Sequence, residues 1–210
     1  MPSVNRIKIS AAYTYFVNEL NRLQRFSAKN QRNYHAGGLT DPQIELLVES
    51  VFFTCFRAYE NFIREIFLLY TLSKRPRSNR QVTSNLNPRN FLHAEQLIKS
   101  SMKVVDWNSP DTIIERAEIY LNGGFPIKLP ISSNLNALRQ FKKLRNHIAH
   151  DSIESLDEFK KVVNNYYGGI APLSYPTSGQ YLMLASHTTP ANNLLIDFFD
   201  LMRNLSYDLT

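Results

Sequence analysis

The segment SSNLNALRQFKKLRNHIAHDS, residues 132–152, gathers the side chains best suited to chemistry. At about 100° per residue on a helix, Leu138, Phe141, Leu144, Ile148 and Ala149 share one arc, and Arg139, Lys142, Lys143, Asn146 and His150 share the opposite one. Arg145 falls inside the apolar arc. A guanidinium cannot shed its charge, and burying it unpartnered costs several kcal/mol. Arg145 must therefore meet a carboxylate, line a water-filled cleft or sit at a subunit interface. Asn146 and His150 stack on one edge of the helix, and His147 and Asp151 form a second such pair on a neighbouring edge. Arg145 and His150 point about 140° apart on an ideal helix, which favours a site completed by a second copy of that helix. The set combines an imidazole able to exchange protons near neutral pH with a guanidinium able to hold a growing anion.

These residues need a scaffold, and most of the chain reads as helix. Residues 4 to about 27 carry Ile7, Ala11, Tyr15, Val17, Leu20 and Leu23 at helical spacing. Asp41-Pro42 suits a helix start, and from there to about Leu72 no Gly or Pro interrupts Ile44, Val48, Val51, Cys55, Tyr59, Phe62, Ile66 and Tyr70. That helix would be the spine of the domain. Asn87-Pro88 opens a short helix to about Met102, and Ser109-Pro110-Asp111 opens another that stops at Gly123-Gly124. After an extended PIKLP, Ser132 or Ser133 caps the helix that ends near His150. Ser155 with Glu158 makes a capping box for the next, which ends at Gly168-Gly169. Thr189-Pro190 starts a final amphipathic helix. The expected architecture is a single all-α domain of six to seven helices over residues 1–210, its core about 41–167. Residues 74–90, basic and without an acid, read as a mobile loop; residues 170–188 are turn-rich, with a short strand or hairpin at 181–185.

Composition bounds the chemistry. An apolar share of 43% supplies enough surface to close a core without a staple. Cys55 is the only cysteine, which excludes an intrachain disulfide framework, and the five scattered histidines form no zinc-binding cluster. The chain has no Gly-rich phosphate loop, G-x-S-x-G elbow or H-E-x-x-H pair. The first residues hold no signal-peptide core, and nowhere do 18 apolar residues run together. The expectation is a cytoplasmic protein with no membrane association, no metal and no cofactor. A formal charge of +6 is compatible with a polyanionic partner.

Arg145-x-x-x-x-His150, with Asn146 directly after the arginine and the histidine near a helix C-terminus, resembles the R-x-x-x-x-H motif of the HEPN ribonuclease superfamily. The preceding long helix with FRAYENFIREIF, residues 56–67, is similar to the bacterial RiboL-PSP-HEPN branch, in which an acidic residue of that helix accompanies the motif. Glu60 is the matching position. The resemblance spans about residues 44–165. It implies a helical bundle that dimerises, bringing two motifs into one cleft, and a metal-independent endoribonuclease of the toxin or defence-effector kind, held in check by an antitoxin or defence-system partner. Other members of the family only bind nucleotides, RNA or proteins, so a non-catalytic HEPN-like module is the second expectation.

On that resemblance the neighbouring 2′-hydroxyl of RNA is the nucleophile, and two copies of His150 divide the roles of base and acid. Arg145 stabilises the phosphorane, while Asn146 holds the phosphate or orients His150. Glu60, His147 and Asp151 take supporting places. Arg139, Lys142 and Lys143 supply a positive approach for the RNA backbone, with Tyr59, Tyr166 and Tyr167 as candidates to stack bases. The plain structural alternatives are a salt bridge from Arg145 to Glu60, a helix-capping role for His150, and pairing of Glu60 with Arg64. A DNA-binding regulator ranks last, since no helix-turn-helix is present.

Overall fold

The computed structural model describes residues 8–100, 105–150 and 152–210. Among these residues the chain is all-helical, with nine α-helices and no named strand: α1 Ile9–His35, α2 Asp41–Thr71, α3 Phe91–Lys99, α4 Pro110–Tyr120, α5 Lys128–Ser133, α6 Leu135–Ala149, α7 Ile153–Tyr166, α8 Ser178–Met183 and α9 Leu194–Asp208. Each of the stretches expected to be helical holds a helix, with shifted bounds: α1 runs on to His35, α3 starts at Phe91 rather than at Asn87-Pro88, Ser132 and Ser133 lie in α5 rather than capping α6, and α9 starts at Leu194 rather than at Thr189-Pro190. The two additional ones, α5 and α8, are six residues each.

Both additions have local causes. The PIKLP segment, expected to be extended, instead begins α5, which breaks at Asn134 (φ −114°, ψ 14°) before α6 starts. Asn134 donates its side-chain amide to the carbonyl of Pro130 at 2.9 Å, satisfying a group the helix end would leave open. The strand or hairpin expected at 181–185 does not form. Thr177 and Gln180 make a reciprocal capping box that commits Ser178–Met183 to a helix. Ala185 is left with a single bridge to Asn193. A continuous apolar run of five residues, Tyr181 to Ala185, fits a helix turn as readily as a strand, and here the cap decides.

The chain forms two compact units. The first comprises Met1–Asn18, Ala58–Leu138 and Arg203–Thr210. In it Phe16 of α1 stacks on Phe62 of α2 at 4.7 Å between ring centres, and Phe67 packs against Trp107 at 5.2 Å. The buried hydroxyl of Tyr70 donates to the carbonyl of Leu209 at 2.7 Å. Ala94 and Ile98 of α3 and Ile113 and Ala117 of α4 are fully buried, so both short helices turn an apolar stripe inward. Residues 74–90 contain no helix. Their end is tied to α4 by Asn85 N–H to the Tyr120 carbonyl and Asn122 N–H to the Thr83 carbonyl, each 2.9 Å.

The second unit comprises Glu19–Arg57 and Arg139–Met202. Its core holds a ring cluster in which Phe198 of α9 lies 4.6 Å from Phe52 of α2 and 4.8 Å from Phe141 of α6. Here α8 is clamped to α2. The Glu49 carboxylate accepts the Gly179 N–H at 2.9 Å, while Glu45 accepts from Gln180 Nε2 and Thr177 Oγ1, both at 2.8 Å. A Cβ at Gly179 would sit 2.7 Å from the Glu45 Cα, so this close approach requires glycine.

Candidate functional site on α6 and the turn into α7

The geometry of α6 follows its pattern. Leu138 and Leu144 are buried, and Arg139 on the opposite arc is exposed. Arg145 is half-buried, as its place inside the apolar arc requires. Its Cζ lies 5.4 Å from the centre of the Phe53 ring on α2, within cation–π range. Its Nη1 donates to Asn146 Oδ1 at 3.4 Å, and its Nε is shielded from solvent.

His150 stands just past the end of α6 with its side chain exposed. Its backbone is held from both sides. The N–H donates to the Asn146 carbonyl at 2.9 Å, and the carbonyl accepts from Ser155 Oγ at 2.6 Å and from the Ser152 N–H at 3.0 Å. Ser152, not Ser155, is the N-cap of α7, and Ser155 rather than Glu158 is the reciprocal partner in the box. The start lies three residues earlier than the spacing of Ser155 and Glu158 predicts, because Ser152 meets the N–H of Ser155. Glu158 is left to other partners.

That reassignment changes the charge around α6. The Glu158 carboxylate pairs with Lys143 at 2.6 Å and also meets Lys161. The hydrogen bonds from Lys143 and then Lys161 hold it below the usual carboxylate range. The sequence of α6 predicts an uninterrupted positive approach from Arg139, Lys142 and Lys143. The acid that interrupts it arrives from α7, beyond the acid-free stretch that ends at His150.

The other expected participants divide. His147 is half-buried and stacks on Phe159 of α7, 4.7 Å between ring centres and 13° from parallel. That places its ring in the α6–α7 packing, with Nδ1 shielded from solvent. Asp151, and with it the expected His147–Asp151 pair, lies outside the described residues. Glu60 belongs to the first unit, whereas Arg145, Asn146 and His150 belong to the second. Its neighbour one turn on, Arg64, gives its guanidinium to Glu95 of α3 at 2.6 Å. Tyr59, expected as a base-stacking ring, is buried, and burial pushes its hydroxyl well above the usual tyrosine value. Tyr166 is half-buried with its hydroxyl on the Ala185 carbonyl at 2.8 Å and its ring 4.3 Å from His187. Of the three tyrosines, Tyr167 alone is exposed.

Phe53 is the participant that sequence reasoning misses. It stands beside Phe52 yet off the stripe of Val48, Val51, Cys55 and Tyr59, and an aromatic residue displaced from the buried face of a helix is the signal that could have found it. Among the described residues no group of three or more His, Cys, Asp or Glu side chains is placed to hold a metal, and no helix is long and apolar enough to cross a membrane. Compared with protein-family models, curated proteins and solved structures, the chain matches none.

Proposed function

We propose that the protein is a metal-independent endoribonuclease of the HEPN type, with Arg145, Asn146 and His150 as its reacting set and a homodimer as its working form. One observation carries the reading. An exposed imidazole sits on a doubly anchored backbone at the end of α6, one turn beyond a half-buried guanidinium that is oriented by Asn146 and Phe53. Immobilised backbone with a solvent-facing imidazole suits a group that exchanges protons with a substrate. With His147 packed against Phe159, His150 is the α6 histidine that can face RNA. Because Arg145 and His150 diverge around the helix, the guanidinium of one copy serves the imidazole of the other across a two-fold axis.

In this mechanism the 2′-hydroxyl attacks the adjacent phosphorus as one His150 removes its proton. The P–O5′ bond breaks as the second His150 protonates the leaving oxygen, and the products are a 2′,3′-cyclic phosphate and a 5′-hydroxyl. Arg145 stabilises the charge that grows on the phosphoryl oxygens, where a positioned guanidinium is most effective. The role of toxin or defence effector, restrained by a partner, belongs to the same reading.

The test is cleavage of RNA in excess EDTA. The products should carry 2′,3′-cyclic phosphate ends, and Arg145→Ala or His150→Ala should each abolish the reaction. Strict dependence on a divalent metal, or full activity in both variants, removes the proposal. A second reading, a non-catalytic helical module that binds RNA, nucleotide or a protein, is favoured by the contact between Arg145 and Phe53 and by the neutralisation of Lys143. These are the marks of charges used to hold α6 in place. Binding of RNA without cleavage by the unaltered protein selects it.

A further inference from the structure

The first unit holds a groove of about 550 Å³ whose walls include Arg77, Arg80, Phe125, Leu129, Tyr207 and Asp208. We infer that this groove is a binding site for single-stranded nucleic acid. The inference stands on this groove alone and does not depend on the chemistry proposed for α6.

The groove is built from guanidinium groups laid on aromatic rings. The Cζ of Arg80 lies 4.6 Å from the centre of the Phe125 ring. That of Arg77 lies 4.6 Å from the Tyr13 ring and 5.3 Å from the Tyr207 ring. A guanidinium against a ring face is fixed in orientation, and its N–H donors radiate from the edge. Those edges match the paired oxygens of a phosphate. Both side chains are exposed, and neither makes an ion pair among the described residues.

The backbone that carries the two arginines is fixed as well. The turn from Pro76 is closed by the Asn79 N–H on the Pro76 carbonyl at 2.9 Å. Asn79 takes the left-handed conformation there, φ +58°, which asparagine tolerates better than most residues. The Arg77 N–H donates to the Thr210 carbonyl, and Arg75 Nη1 meets Asn79 Oδ1 at 3.3 Å. Residues 74–90 hold Lys74, Arg75, Arg77, Arg80 and Arg89 and no acid, so the segment that supplies the two arginines brings no carboxylate with it.

Charge alone would suit any polyanion, and the rest of the wall narrows the choice. Leu129 is 76% exposed and Tyr207 62% exposed, an apolar surface that water covers at a cost and that a flat base covers well. The exposed Arg80 guanidinium beside Phe125 is a second group on which a base can stack. A smaller hollow of about 210 Å³ shares Phe125, Pro126 and Leu129 with the groove and adjoins it. Phosphate-binding edges alternating with stacking faces match an unpaired strand. A duplex hides the faces of its bases, and an acidic polypeptide has none. Asp208 places one carboxylate on the wall, and it opposes the phosphate.

The experiment uses the full chain and a 5′-fluorescein single-stranded DNA of about 12 nucleotides, read by fluorescence anisotropy. DNA has no 2′-hydroxyl, so the reaction proposed for α6 cannot consume the probe, and failure of one proposal is separable from failure of the other. Arg77→Ala with Arg80→Ala should weaken binding roughly tenfold or more and lower the slope of log K against log salt by about 0.7 for each phosphate that is no longer neutralised. Arg77→Lys with Arg80→Lys keeps the charge but loses the layered geometry, and should recover only part of the affinity. Asp208→Asn should tighten binding. Retained melting temperature identifies variants that are folded. The inference is overturned if the alanine variant binds as tightly as the parent, if the lysine variant recovers full affinity, if the corresponding duplex binds equally well, or if poly-glutamate displaces the strand at equal charge concentration.

Discussion

The hydroxyl of Ser155, in the first turn of α7, donates to the carbonyl of His150 at 2.6 Å and so closes the turn between α6 and α7. The same serine exchanges bonds with Ser152 across the start of α7. A single side chain thus completes the capping box of α7 and fixes the backbone from which the candidate imidazole projects. Ser155→Ala should cost about 1 kcal/mol of stability, the usual net value of a lost hydrogen bond, and lower the melting temperature by roughly 2–4 °C for a chain of this size. If His150 reacts as proposed, kcat should fall with KM little changed, since the imidazole loses its position and the RNA contacts remain. Calorimetry and steady-state cleavage, measured on the same preparation, separate the two effects.

Phe53 and Arg145 should be energetically coupled through their 5.4 Å contact. Phe53→Leu keeps apolar volume and removes the ring face, while Arg145→Met keeps length and removes charge. Their double-mutant cycle should give a coupling of about 0.5–1 kcal/mol. Strictly additive melting data would show that the ring does nothing for the guanidinium.

Glu49 gives a pH-dependent prediction. Burial raises its carboxyl above the usual value, the Gly179 N–H offsets part of that, and Glu45 adds to the rise. A carboxyl raised on folding contributes stability below its unfolded pKa and loses it as pH climbs through the folded one. Glu49→Gln keeps an acceptor for Gly179 and removes the penalised charge. The variant should be more stable than the parent at neutral pH by less than about 1 kcal/mol, because the group is partly solvated. The two curves should converge as pH falls through the carboxylate range. A gap that widens in acid would reverse the assignment.

Gly179→Ala should destabilise by about 1–3 kcal/mol. The added methyl meets Glu45 Cα at 2.7 Å and its carbonyl oxygen at 2.8 Å, and backbone cannot move aside as a side chain can. Limited proteolysis should open the chain at residues 170–188 before any other segment. Unchanged protease resistance would mean that α8 can shift bodily away from α2.

The long helices were legible in the sequence because their apolar positions repeat over many turns. The 31 residues of α2, Asp41–Thr71, fall almost where the spacing from Ile44 to Tyr70 places them. Ser109-Pro110 likewise opens α4, with proline in its first turn. What escaped was set by partners distant along the chain. YLMLA at 181–185 offers too few residues for periodicity to discriminate, and its helix depends on a cap and on carboxylates of α2. At the candidate site, the half-burial of Arg145 followed from its place on the apolar arc. The ring it rests on and the acid that takes Lys143 required the packing of other helices, whereas the burial of Tyr59 follows from its place on the apolar stripe of α2. Helical periodicity says which way a side chain points from its own axis, but not what it meets.

The three hydrogen bonds that tie Thr177, Gly179 and Gln180 to Glu45 and Glu49 link positions 130–135 residues apart. During synthesis at about 5–20 residues per second, α2 emerges with those carboxylates many seconds before the segment that will cover them. Until then Glu45 and Glu49 stay hydrated, so this long-range contact forms only after most of the chain has been made.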